Sequence, residues 1–248
     1  MHGILDAIIT LTGICNSHSR LPTDPPSRQY LLGVLDISHR YEVVTGVGWA
    51  IYHLERLNDM DSPLDTPGSH AALSPAHQLH IARRYQVESW VKPAVFEIVD
   101  RFSPDAKQIC FITDDDCNLM GYYAFGLITK GIESINAERL MISFTPPQVW
   151  HCVRCIEDGR RSERCSREWV KQWLNVMPCY LLRPDRWEPL HSLISLIRWH
   201  IRVSPDGSDG ILQECKEHTI LAVEELGICQ AEEQIKELVA TKVWESYL

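Results

Sequence analysis

Apolar residues recur through most of this chain at intervals of three and four, the period of an amphipathic helix. Two stretches carry the pattern twice. LDISHRYEVVTGVGWAIYHL fills residues 35–54 and LHIARRYQVESWVKPAVFEI fills residues 79–98. At one offset the copies share Leu35/Leu79, Ile37/Ile81, Arg40/Arg84, Tyr41/Tyr85, Val43/Val87, Val47/Val91 and Ala50/Ala94. Each copy reads as a helix, a short Arg-Tyr-x-Val corner and a second helix. The tyrosine ring is expected between the two helices and the arginine in water. Self-similarity at a period of about 40–47 residues is the mark of stacked helical pairs, none of which buries its apolar face alone.

The rest of the pattern extends this reading. Residues 4–12 hold a short apolar helix, followed by a linker whose three prolines exclude helix and strand. The first pair is predicted over 28–40 and 45–57, with Thr45 as N-cap of its second helix, and a loop rich in Asp, Pro and Ser follows from Asn58 to Ala72. The second pair is predicted over 75–85 and 89–102, opened by Ser74 and Pro75. Asp114, Asp115 and Asp116 read as the solvated cap of a helix from Asn118 to Ile128, rather than as a magnesium site, since no phosphate loop accompanies them. Asp209 is the expected cap of a segment that turns Leu212, Cys215, Thr219, Ala222 and Leu226 inward and ends at Gly227, and a last helix runs from Gln230 to Trp244. No hairpin signal is strong. The fold class predicted is mainly α: stacked helical pairs of solenoid-like character over 28–110, then a C-terminal, mostly helical region over 111–248 that contains a Cys- and Trp-rich segment at 143–189.

Composition narrows what such a chain can do. A hydrophobic content of 45% with 23% charged residues is that of an ordinary globular protein. The formal net charge of −9 counts against a general nucleic-acid grip, although Arg160, Arg161, Arg164 and Arg167 form a local basic run. No apolar run is long enough to span a bilayer. An odd count of nine cysteines, the lack of any Asn-x-Ser/Thr acceptor and the lack of a secretory leader favour a reducing compartment, cytoplasmic or nuclear, with thiols free or metal-bound.

The sharpest chemistry is Cys152-x-x-Cys155 followed by Cys165, with His151 beside the first thiol. Two cysteines at that spacing on a turn can present both sulfurs to one tetrahedral ion, and a third at a helix start can complete a knuckle. Zinc is the metal such ligands favour. His151 is one candidate for the fourth corner; Cys179, His191 and His200 are others. The plain alternative is three reduced thiols beside a helix. Trp169 and Trp173, one turn apart after Cys165, read as core rather than as a cofactor box. Gly46-x-Gly48 lacks the third glycine of a dinucleotide fingerprint, and no nucleophile elbow, zincin helix or phosphate loop occurs. The chain is therefore expected not to be an enzyme.

The segments HRYEV…AIYHL and LHIARRYQVESWVKPAVFEIV resemble the helical region that follows the BTB fold in fungal, chiefly basidiomycete, BTB-type proteins. The corner of Arg84, Tyr85, Val87 and Trp90 matches their recurring Lys/Arg-Tyr-x-Val-x-x-Trp element. Pro146, Pro147, Cys152 and Cys155, then Cys165, Trp169 and Trp173, match their later proline, cysteine and Cys-x-x-x-Trp-x-x-x-Trp features. The resemblance covers roughly residues 28–185. It implies a BACK-like helical region, with residues 1–27 as the remnant of an upstream BTB domain and its linker. It also implies a protein–protein adaptor, whose partner is another protein, through self-association or a cullin-type ubiquitin ligase. The rival expectation is a zinc-containing nucleic-acid or chromatin-associated module built on residues 151–173.

Overall fold

The computed structural model describes residues 26–60, 73–101, 112–183, 189–203 and 210–248. Among the described residues there are eleven α-helices, three short 3-10 turns and no strand. The expected helix at 4–12, the loop over 61–72, Phe102 and the Asp209 cap lie outside them. The chain forms two compact units, Met1–Ser74 and Pro75–Leu248.

The first unit contains α1 (Arg28–Arg40) and α2 (Val44–Met60). Ser27 caps α1 by accepting a hydrogen bond from the Tyr30 amide. Leu31, Leu35, Ala50 and Leu54 are completely buried between the two helices, as their spacing required. The second helix begins at Val44, one residue before the expected Thr45 cap, and continues past Leu57.

The second unit opens with the other copy: α3 (Pro75–Tyr85), a 3-10 turn at Glu88–Trp90 and α4 (Val91–Arg101). Its Leu79 and Ala94 are as deeply buried as Leu35 and Ala50. The corners match in backbone detail. Glu42 and Gln86 both adopt the left-handed conformation, at φ 54° and 56°. In each, the following valine amide reaches back to a carbonyl five residues earlier, Val43 to Ser38 at 2.8 Å and Val87 to Ala82 at 3.0 Å. That is the Schellman closure of a helix C-terminus. One expectation fails at this corner. Tyr41 is 68% exposed, and Tyr85 is half-buried with the Arg84 guanidinium 5.4 Å from its ring centre. The Schellman turn places the tyrosine at the end of the helix, and the valine after the turn is buried in the second copy (Val87) and partly buried in the first (Val43).

Beyond the repeat, Thr113 rather than an aspartate caps α5 (Asp114–Met120), with Asp116 returning the bond in a capping box. Gly121, at φ +90°, breaks the chain before α6 (Tyr122–Phe144), which runs well past Ile128. There follow α7 (Val153–Glu157), α8 (Gly159–Leu181), a 3-10 turn at Leu190–Ser192, α9 (Leu193–Val203), α10 (Gln213–Glu225), a 3-10 turn at Ile228–Gln230 and α11 (Ala231–Glu245). Helix α6 is the central element and packs on α4, α8 and α11. Gly131 permits the approach to α11: a Cβ there would lie 2.5 Å from a methyl of Val239. Along α8, Cys165, Trp169, Trp173, Met177 and Leu181 are buried at four-residue intervals. Cys215, Thr219 and Ala222 of α10 face inward, but Leu226 is 68% exposed because α10 ends at Glu225 and Gly227 turns left-handed after it. Among the described residues no helix is long and apolar enough to cross a membrane.

Candidate metal centre

The Cys- and Trp-rich segment wraps the lower part of α6. Trp173 donates its indole N–H to the carbonyl of Ile142 (2.9 Å) and Trp169 donates to that of Pro147 (3.1 Å). Both rings are core, 5.9 Å apart by their centres. These anchors fix α8 against the extended stretch that carries His151 and Cys152, and the five-residue α7 then delivers Cys155. Cys152 is the N-cap residue of α7, and the Cys155 amide closes the turn on its carbonyl at 2.9 Å. Helix α8 starts at Gly159, six residues before Cys165, with Asp158 as its cap. The basic run is therefore helical and exposed on the same early turns.

Four ligand atoms converge here. One each from His151, Cys155, Cys165 and Cys215 all lie within 4.8 Å of one another. The Cys155 sulfur is 3.5 Å from both the Cys165 and the Cys215 sulfur. A tetrahedral zinc with bonds of about 2.3 Å holds its sulfurs about 3.8 Å apart, so the cluster needs little adjustment to take one. Of the sequence candidates, His151, Cys155 and Cys165 are brought together. Cys152 stands at the edge of the group, its sulfur 3.5 Å from that of Cys215 and its amide donating to the same sulfur at 3.2 Å. Cys179 and His191 are exposed and outside the group; the side chain of His200 lies outside the described residues. The donor that spacing did not find is Cys215, which reads in the sequence as one more inward residue of a helix sixty positions on.

The chemistry of the donor set fits a metal. The Nε2 atom of His151 lies 3.1 Å from the Ser166 hydroxyl, while its Nδ1 is buried without a hydrogen-bond partner. A ligating imidazole has this arrangement, one nitrogen held by an outer partner and the other left for the ion. Burial pushes the Cys155 thiol well above its ordinary value, with the Cys215 and Cys165 sulfurs adding to the shift, and pushes the Cys215 thiol up to about 11 against the lowering effect of the Cys152 amide. Both shifts favour the neutral thiol, so a cation bound there must displace the protons of Cys155 and Cys215. The three sulfurs of the set are fully buried in an apolar cluster with Val149, Leu190, Leu193 and Ile211. The described cysteines form no disulfide.

The other candidates hold no comparable grouping. Asp116 is committed to the capping box, and Asp114 and Asp115 are exposed. A second polar cluster is structural. Arg139 of α6 donates to Glu232 of α11 at 2.9 Å, both almost completely buried, and the Glu232 carboxylate also accepts from the Leu190 amide (3.2 Å) and pairs with Lys236 (3.0 Å). Lys236 in turn reaches Asp100 of α4 at 2.6 Å. It ties three helices together.

No family model, curated protein or solved structure matches the chain.

Proposed function

We propose that this protein is a non-enzymatic interaction protein, similar to the helical part of fungal BTB-type adaptors, whose second unit is fastened by a structural zinc ion. The observation that carries the metal is the convergence of His151, Cys155, Cys165 and Cys215 with an unpartnered, buried Nδ1 among them. Four protein donors fill a tetrahedral ion completely. A catalytic zinc keeps one position open for water or substrate, so a closed, buried set supports a structural role. The metal would join the extended stretch, α7, α8 and α10 at one point.

The interaction role draws support from what the knuckle presents outward. Trp150, Val153 and Ile156 alternate with the ligands and are 61%, 68% and 69% exposed. Three large apolar side chains on one short, metal-braced segment are costly to leave in water unless a partner covers them. The twice-used helical corner and the acidic balance fit a partner that is another protein, with a cullin-type ligase the class implied by the BTB resemblance. A second reading keeps the exposed Arg160, Arg161, Arg164 and Arg167 as a nucleic-acid contact, tested by salt-dependent binding to DNA or RNA.

Elemental analysis of the purified chain tests the first reading. One zinc per chain is expected, and none ends it. The adaptor role is tested with a Val153→Asp/Ile156→Asp variant of unchanged helicity. A specific protein partner, purified and titrated, should bind the wild-type chain and not the variant; equal binding by both removes this face from the interaction.

A further inference from the structure

The centre holds five donors for four coordination positions. Besides the set of His151, Cys155, Cys165 and Cys215, Cys152 places its sulfur 3.5 Å from Cys215, within the separation of two ligands on one ion. Its backbone points the same way, since the Cys152 amide donates to the Cys215 sulfur at 3.2 Å. A buried sulfur at ligand distance from a member of the set is an available donor.

Charge decides which four bind first. Three thiolates and an imidazole around a divalent ion leave a net charge of −1, whereas four thiolates leave −2. Burying the doubly charged complex in this apolar cluster costs more. His151 is also held by Ser166 through Nε2, and its buried Nδ1 has no hydrogen-bond partner, so one ring nitrogen is left for the ion.

We propose that Cys152 is a reserve ligand, held against Cys215 while His151 fills the fourth corner, and that it takes that corner when the imidazole leaves. The exchange forms a metal–sulfur bond and breaks a metal–nitrogen bond. The thiol proton leaves to solvent as the sulfur binds, and the freed imidazole stays on its Ser166 contact. This inference rests on the structural-metal reading above and adds a dynamic ligand to it.

The test uses cobalt(II) as a probe on the full-length chain, because its visible band reports tetrahedral geometry and its sulfur charge-transfer band scales with the thiolates bound. The wild-type chain should show three thiolates and one nitrogen. His151→Ala should keep one cobalt per chain and gain charge-transfer intensity by about a third, as a fourth thiolate enters. His151→Ala/Cys152→Ser should then lose more than about tenfold in affinity. His151→Ala/Cys179→Ser, which removes an exposed thiol outside the cluster, should behave as His151→Ala alone. Four thiolates in the wild-type chain would overturn the proposal by making Cys152 a resident ligand. Loss of cobalt or of the fold in His151→Ala, with metal present, would overturn it equally. A wild-type chain that takes up no cobalt or zinc at all overturns the structural-metal reading itself, which the other outcomes leave standing.

Discussion

The sulfur of Cys215 lies 3.5 Å from that of Cys155, across sixty residues of intervening chain. Helix α10 thereby completes a cluster that α7 and α8 begin. A metal bound there would join three elements at one point, so losing it should loosen them together. Cys215→Ser combined with Cys152→Ser, which leaves only three donors, should abolish stoichiometric zinc. Amide exchange should then rise over residues 149–165 and at the start of α10, because site binding energy is local folding energy. The α1–α2 pair, in the other unit, should keep its protection. Hydrogen exchange read by mass spectrometry separates these outcomes, and uniform loss of protection over both units would contradict the assignment.

How far the sequence foretold this site depends on distance along the chain. His151, Cys155 and Cys165 were legible because ligands on one turn and the next helix obey short spacing rules. Cys215 was not, since nothing local separates a ligand from an inward core cysteine on an amphipathic helix; only the packing of α10 against α7 and α8 does. The same limit governs the fold. Helix starts marked by Pro75 and by the repeat were readable, and so were the core positions Leu35, Leu79, Ala50 and Ala94. The length of α6 was not, because its buried face is interrupted by Gly131 and Arg139, whose partners on α11 lie about a hundred residues away.

Gly131 makes the packing of α6 on α11 testable. A methyl group added at this position would meet Val239 at 2.5 Å, and neither helix backbone can give way easily. Gly131→Ala gains intrinsic helix propensity of about 1 kcal/mol, but overpacking of this kind costs about 1–3 kcal/mol. A net loss of stability is expected in denaturant unfolding. Gly131→Ala combined with Val239→Ala should recover most of it, and additive losses would show that the two positions do not touch.

The buried charges should give the protein an acid limb. Burial alone would raise the Glu232 carboxyl, but Arg139 and Lys236 outweigh it and hold the group below its ordinary value. A carboxylate depressed in the folded state contributes stability above its unfolded pKa, near 4.3, and that contribution is lost as pH falls through the lower folded value. Glu232→Gln should therefore lower stability at neutral pH and flatten the decline below about pH 4.3. Arg139→Leu, which leaves the buried carboxylate with Lys236 as its one cationic partner among the pairs described, should cost up to about 3–5 kcal/mol at pH 7. Urea midpoints measured from pH 3 to 7 check both, and parallel curves for Glu232→Gln and wild type would exclude the linkage.

The repeated corner offers the finest discrimination, because its two copies share a backbone and differ in what surrounds it. Glu42 and Gln86 each hold an L-residue in the left-handed region, at a cost of about 1–2 kcal/mol that glycine avoids, less the extra entropy glycine loses on folding. The Gln86 amide also donates to the carbonyls of Arg83 (3.0 Å) and Tyr247 (3.2 Å), tying the corner to the end of the chain. Glu42→Gly should therefore stabilise by about 0.5–1 kcal/mol, whereas Gln86→Gly should lose that gain to two missing hydrogen bonds worth about 1 kcal/mol each. Tyr41→Ala, at an exposed ring, should change stability by less than about 0.5 kcal/mol. Differential denaturation of the three variants reads the outcome. A Tyr41→Ala loss several times larger would mean that the first corner packs its ring after all, and a destabilising Glu42→Gly would remove the left-handed turn from the repeat.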